Sequence, residues 1–439
     1  MNTPNVLLTP RRPALVAGFD NTLDVLVRIQ APNTPEGETK ERTRLNLALA
    51  IDRSGSMAGR PLEEAKRCAS FVVDKLKNTD RVSLIAYDSS IETRVPSVKV
   101  EDKAIFHRAI EGIDDGGCTN LHGGWLKGAE QISPYIDPST ISRIILLSDG
   151  QANEGLTDEA EIFKQCRELA DAGVTTSTYG LGSNFNETLM IGMAKNGQGN
   201  SYYGRTADDL MDPFQEELSL LEALFAKQVR ASISASAGIL FEILNKYSTD
   251  RQGKIQLPDL AYEGEAWMLV RCFIPRTQTG EGDGTDLIDL FSVEFTYQDL
   301  NGESFNIPPI KLALPSLPAK AWESVTEDSL TVRRANELEA ADIQEKAQQA
   351  AKRGDWPEVK RLLKNAKNRA KDDKWLTEVC INLEKLADSE DEASIVKETS
   401  YQMKFMRTRL ASLDETKDNG LEIARPMYLR KKREQGKKA

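Results

Sequence analysis

Leu45-Asn46-Leu47-Ala48-Leu49-Ala50-Ile51 runs without a break into Asp52-Arg53-Ser54-Gly55-Ser56, and this stretch decides the fold. A run that is apolar except at Asn46 reads as a strand buried on both faces, as strands inside a parallel sheet are. It delivers one carboxylate and two hydroxyls to its own C-terminal end, where the chain turns toward a helix. Open α/β sheets bind their ligands at that edge. These are hard oxygen donors, two of them uncharged, and they suit a small hard cation such as Mg²⁺. The stretch holds no nucleophile–base pair.

Strands and helices alternate on the C-terminal side of this motif. Strands are expected at Leu45–Ile51, Arg81–Tyr87, Ile91–Val95, Ser142–Leu147 and Thr175–Tyr179. Helices are expected at Leu62–Leu76, Asp102–Ile113, Leu121–Ile132, Asp158–Ala172 and Asn186–Ala194. The pattern predicts a doubly wound, mostly parallel α/β domain over residues 45–225. Two further segments fall on the edge that carries Asp52. Asp114-Asp115-Gly116-Gly117-Cys118-Thr119-Asn120 is a glycine-rich loop entering a helix, and Ser148-Asp149-Gly150 follows the apolar Ile144–Leu147. Together they predict a metal site of two carboxylates, Asp52 and Asp149, and three hydroxyls, Ser54, Ser56 and Thr119.

These three segments, in this order and each at a strand end, resemble the von Willebrand factor A (VWA) domain, a Rossmann-like fold. The five residues match that family's metal-ion-dependent adhesion site (MIDAS). Asp52, Ser54 and Ser56 stand for the DxSxS element, Thr119 for the loop threonine and Asp149 for the distal aspartate. Arg60-Pro61-Leu62-Glu63-Glu64-Ala65-Lys66 and Gly180-Leu181-Gly182 add support. The resemblance implies Mg²⁺, with Mn²⁺ or Ca²⁺ as alternatives, bound directly by the serines and the threonine and largely through waters by the aspartates. It further implies one coordination position filled by an Asp or Glu of a partner protein. In pattern, the whole chain resembles bacterial VWA proteins related to calcium-activated chloride channels and inter-alpha-trypsin inhibitor heavy chains.

Residues 1–44 read as strands, at Pro13–Gly18 and Asn21–Ile29, followed by a polar linker from Pro32 to Thr43. Asp208 to about Ala226 reads as a helix leading away from the α/β domain. Residues 226–322 return to strand-like alternation. Forty-four residues of strand make too small a sheet alone. We therefore expect residues 1–44 and 226–322 to form one β-sandwich with the α/β domain inserted. Residues 323–413 read as a helical domain, broken at Gly354-Asp355-Trp356-Pro357, where Asp355 is placed to cap the second helix. Residues 414–439 lack periodicity, carry seven Lys/Arg in the last fifteen positions, and read as a disordered basic tail.

Composition narrows the function. A net charge of −11 argues against nucleic-acid binding by the chain as a whole, leaving only the basic tail for it. Five scattered cysteines without a CxxC pair read as free thiols of a reducing compartment, and two histidines argue against a zinc site. With no leader-like N-terminal pattern and no run able to span a bilayer, the expectation is a cytoplasmic protein. No P-loop and no full GxGxxG follows a strand, so no enzyme is expected. The expected role is a cation-dependent adaptor or scaffold that binds a partner's carboxylate. The alternative is a regulatory or substrate-delivery subunit of a MoxR-like AAA+ ATPase or of a stress or phage-defence complex.

Overall fold

The structure, a computed structural model, describes residues 3–33, 43–149, 151–181, 186–204, 206–280, 287–369, 374–408 and 411–412. Most of the polar linker, Gly150, Gly182 and the basic tail lie outside the described residues. The chain divides into two units, one drawn from Met1–Glu38 and Leu224–Arg425, the other from Thr39–Ala223. The first unit opens with strands β1 (Asn5–Pro10), β2 (Leu15–Val16) and β3 (Asn21–Gln30).

The second unit is the α/β domain. It runs β4 (Arg44–Asp52), α1 (Arg60–Lys75), β5 (Arg81–Tyr87), β6 (Ile91–Lys99), α2 (Lys103–Glu111), α3 (Leu121–Ile132) and β7 (Thr140–Ser148). It continues with α4 (Glu159–Asp171), β8 (Val174–Leu181), α5 (Glu187–Asn196), β9 (Gln198–Gly204) and α6 (Ala207–Glu222). The sheet order is β6-β5-β4-β7-β8-β9, parallel except for β6. The strand order reverses at β4, so Asp52 stands at the switch point where such sheets take ligands. Leu45 and Leu47–Ile51 are all buried, because helices cover both faces of the sheet.

Two elements depart from the sequence expectation. The polar run Gln198–Gly204 has no apolar alternation, yet it forms the edge strand β9. The helix expected from Asp208 to Ala226 ends at Glu222 and belongs to the α/β domain rather than leading away from it. Leu210, Phe214, Leu218 and Leu221 are all buried, at the spacing that makes one helix stripe. Phe214 stacks on Tyr179 of β8 with ring centroids 3.7 Å apart. Glu217 on the same stripe is buried and ion-paired with Arg143 of β7. Ser177, Asn200 and Tyr202 also donate to its carboxylate.

The first unit resumes with β10 (Leu224–Ala235), β11 (Leu240–Ile243), β12 (Ile255–Gln256), β13 (Leu260–Ala261), β14 (Gly264–Ile274), β15 (Leu287–Gln298) and β16 (Ser304–Leu317). One sheet has the order β1-β3-β14-β11 and the other β12-β10-β15-β16-β2. N-terminal strands therefore enter both layers of the sandwich. The strand expected at Pro13–Gly18 shrinks to β2, while β1, which had not been anticipated, lies on β3 antiparallel. Alternate residues of β14 (Ala266, Met268, Val270, Cys272, Ile274) face the sandwich core.

Helices follow: α7 (Ala319–Glu323), α8 (Ser329–Lys352), α9 (Trp356–Arg369), α10 (Lys374–Asp388) and α11 (Glu392–Thr408). The Asp355 carboxylate accepts the Glu358 N–H and caps α9 as expected. Leu338 and Ala335 of α8 cover Leu26, Trp267 and Leu269 on the outer face of the first sheet, with the Arg334 guanidinium 4.7 Å over the Trp267 ring. Ala411–Ser412, expected in the helical stretch, instead form a short strand, β17, against Gly264 and Glu265 of β14. No described helix is long and apolar enough to cross a membrane.

Candidate metal centre

β4 ends by burying Asp52 completely. The Asp52 carboxylate accepts the Ser54 N–H at 2.9 Å on Oδ1 and the Ser148 hydroxyl at 2.5 Å on Oδ2. The first bond curls the chain so that the Ser54 and Ser56 hydroxyls meet at 3.2 Å. Ser54 is buried and Ser56 exposed.

The Thr119 loop is bonded edge to edge with this turn. Gly116 N–H donates to the Arg53 carbonyl at 2.7 Å, and Gly55 N–H to the Gly117 carbonyl at 2.9 Å. Thr119 itself is buried; its N–H donates to Asn153 Oδ1 at 2.7 Å, and its carbonyl accepts from the Asn153 and Glu154 N–H groups. Asp149 follows β7 and is 7% exposed; its carboxylate accepts the Gln151 N–H and its carbonyl the Asn186 N–H. The five predicted residues thus stand on neighbouring loops at the C-terminal edge of β4, β5 and β7. Two supporting residues had not been assigned these roles. Ser148 is a hydroxyl on the last residue of a strand. Asn153 is exposed, yet its side chain fixes the Thr119 backbone.

The electrostatics follow from this burial. Loss of solvent pushes the Asp52 carboxyl up to about 6, against the hydrogen bonds from Ser148 and Ser54, and the Asp149 charge adds to the rise. Burial and the same pair of acids push the Tyr87 phenol well above its ordinary range. Two buried acids, with no ion pair to either among the described residues, suit neutralisation by a cation. The donors fit a hard ion. Among the described residues no group of three or more His, Cys, Asp or Glu is placed to hold a metal ion, so this set would be completed by neutral hydroxyl oxygens.

The two histidines and Cys118 make contacts of other kinds. His122 bonds Gln165 at 2.8 Å and packs on Trp125 in α3. His107 pairs with Asp74 at 3.0 Å on the helix surface. The Cys118 thiol is exposed, and its N–H donates to the Ser89 hydroxyl.

The fold and this edge define an α/β domain with a hydroxyl–carboxylate loop cluster at its switch point. Residues 46–216 match the von Willebrand factor type A domain family. It is 30% identical over 198 residues to YfbK of Escherichia coli (strain K12), a match covering 45% of this chain and 34% of that protein. It is 25% identical over 253 residues to inter-alpha-trypsin inhibitor heavy chain H3 of Mesocricetus auratus, covering 51% of this chain and 29% of the relative. The chain therefore spans about a third of the length of these relatives.

Two solved structures share the fold over nearly the whole chain. A von Willebrand factor type A protein from Catenulispora acidiphila has a TM-score of 0.68 at 15% identity, covering 93% of this chain and 98% of that one. The ArnB paralog VWA2 from Sulfolobus acidocaldarius has a TM-score of 0.61 at 20% identity, covering 92% and 99%. VWA domains typically bind a divalent metal at this edge and mediate protein–protein interaction.

Proposed function

We propose that this protein is a non-enzymatic interaction protein whose VWA domain binds a partner through a divalent cation. Ser54, Ser56 and Thr119 would hold the ion directly, and Asp52 and Asp149 through intervening waters. Magnesium suits this donor set, because it prefers oxygen and keeps part of its water shell. When bound, the ion offers an electrophilic position to a carboxylate from outside. Four of the five donors are buried and Ser56 alone is exposed, which gives a partner one side of approach. An Asp or Glu of the partner would fill that position.

The observation that carries it is the fully buried Asp52 carboxylate, raised by burial and bonded by the neutral donors Ser54 and Ser148, beside a second acid and three hydroxyls. An affinity purification run in Mg²⁺ and in EDTA tests the proposal. Partners retained in Mg²⁺ and lost in EDTA, and lost from Ser54→Ala protein in either buffer, are expected. Recovery of the same partners under all four conditions would defeat it.

A further inference from the structure

The five donors come from separate loops, and something must hold those loops in register before any cation arrives. At the end of β5 one side chain touches two of them. Asp88, 7% exposed, closes its own turn by accepting the Ser90 N–H at 2.7 Å and the Ser90 hydroxyl at 2.8 Å on Oδ1. Its Oδ2 accepts the Gly117 N–H at 3.2 Å, two residues before Thr119. Its carbonyl accepts the Asn120 N–H at 3.1 Å, one residue after Thr119. Thr119 is thus bracketed by one residue.

The other loop is reached through Arg53, which sits between Asp52 and Ser54. Its Nε lies 3.4 Å from Asp88 Oδ2, and its Nη2 donates to the Ser90 hydroxyl at 2.9 Å and to Glu92 Oε1 at 3.1 Å. Its N–H donates to the Tyr87 carbonyl and its carbonyl accepts from Gly116. The two glycines explain themselves here. A Cβ on Gly116 would stand 1.9 Å from Asp88 Oδ2, and one on Gly117 would stand 2.7 Å from the Ser89 hydroxyl. The loop backbone lies directly on the end of β5, where only glycine fits.

We propose that Asp88 and Arg53 form a brace that positions Thr119 against Ser54 and Ser56, and so sets the cation affinity of the site without touching the cation. The inference rests on the proposed metal binding. Its physical content is pre-organisation: with the hydroxyls already converged, the ion meets a formed half-shell rather than ordering two loops on arrival. Asp88→Asn keeps one carbonyl oxygen but turns the other, which faces Arg53, into a donor. Arg53→Gln removes the same ion pair from the opposite side.

Magnesium chloride titrated into wild type, both single variants and the double variant by isothermal calorimetry tests this, with thermal melts of each metal-free protein alongside. The expected result is a metal-free melting temperature within a few degrees of wild type and a Mg²⁺ dissociation constant raised about tenfold or more in each single variant. The double variant should bind no worse than the weaker single, because the two side chains act as one unit. Variants that bind with the wild-type constant would overturn the brace and leave the metal reading standing. Affinity lost only where the metal-free melting transition has also collapsed would overturn it too. A wild-type protein that takes up no Mg²⁺ would overturn both readings together.

Discussion

Replacing Asp52 by Asn should move the metal-free and the metal-loaded protein in opposite directions. Burial raises the Asp52 carboxyl from 3.8 to about 6. A folded-state value above the unfolded one means that the fold disfavours the carboxylate. The penalty is absent below about pH 3.8, grows through the interval, and is complete above about pH 6. Two units at about 1.4 kcal/mol each make the penalty about 3 kcal/mol at neutral pH. Asn is the neutral isostere: its Oδ1 still takes the Ser54 N–H, and its amide donates to Ser148 Oγ, reversing the existing bond. Metal-free Asp52→Asn protein should therefore be more stable than wild type at pH 7.5, by about 2–3 kcal/mol. That is a rise of roughly 5–10 °C for a domain of this size. The advantage should shrink toward pH 4. Magnesium at a hundred times its dissociation constant should stabilise wild type by about 2.7 kcal/mol and leave the variant where it was. Differential scanning calorimetry with and without MgCl₂, at pH 7.5 and 4.5, reads both effects on the transition that Mg²⁺ moves. A metal-free variant that melts at or below wild type at pH 7.5 refutes the electrostatic reasoning. One that gains as much from Mg²⁺ as wild type refutes the role of Asp52 in the site.

Three other perturbations follow from the same geometry. Burial lifts the Glu217 carboxyl, but the Arg143 charge and the Ser177 and Asn200 hydrogen bonds outweigh it and hold the group below 4.5. Its contribution is therefore complete above about pH 4.5 and is lost as the pH falls below that value. Glu217→Gln should cost about 3–5 kcal/mol at pH 7 by leaving the buried Arg143 without its counter-charge, and should flatten the acid limb of a stability–pH curve followed by urea melts. Gly116→Ala drives a methyl into the Asp88 carboxylate; it should cost about 1–3 kcal/mol of metal-free stability and raise the Mg²⁺ dissociation constant, and calorimetry showing an unchanged constant counts against the loop contact. Asp355→Ala removes the α9 cap and should lower the stability of the sandwich-and-helix unit by about 1 kcal/mol, read by urea denaturation, with Mg²⁺ binding untouched.

What could be read from the sequence depended on how far apart the interacting residues lie. The Asp52–Ser56 turn was legible because a buried strand announces itself locally and the donors follow within five residues. Asp149 stood out because it follows an apolar strand, and Thr119 because it lies in a glycine-rich loop entering a helix, although that loop follows α2 rather than a strand as expected. Glu217 was not: inside an amphipathic helix an acid reads as solvent-facing, and its burial makes sense only with Arg143, 74 residues away. The same holds for β9, whose polar run becomes a strand because β8 offers it an edge; β3 was legible as a strand, but its register on β14, more than 200 residues on, was not. Asp88 and Asn153 show where this limit touches function. A lone polar residue in a loop carries no periodicity, so nothing near it in sequence marks it as a support for the site. Residues that would donate to the cation must face one point and therefore recur in fixed local patterns. Residues that hold those patterns together need only reach another loop's backbone, and many side chains at many positions can do that. In a site built on loops, residues that share a local pattern are thus more legible than those that hold the loops together, and the proposed brace would be of the second kind.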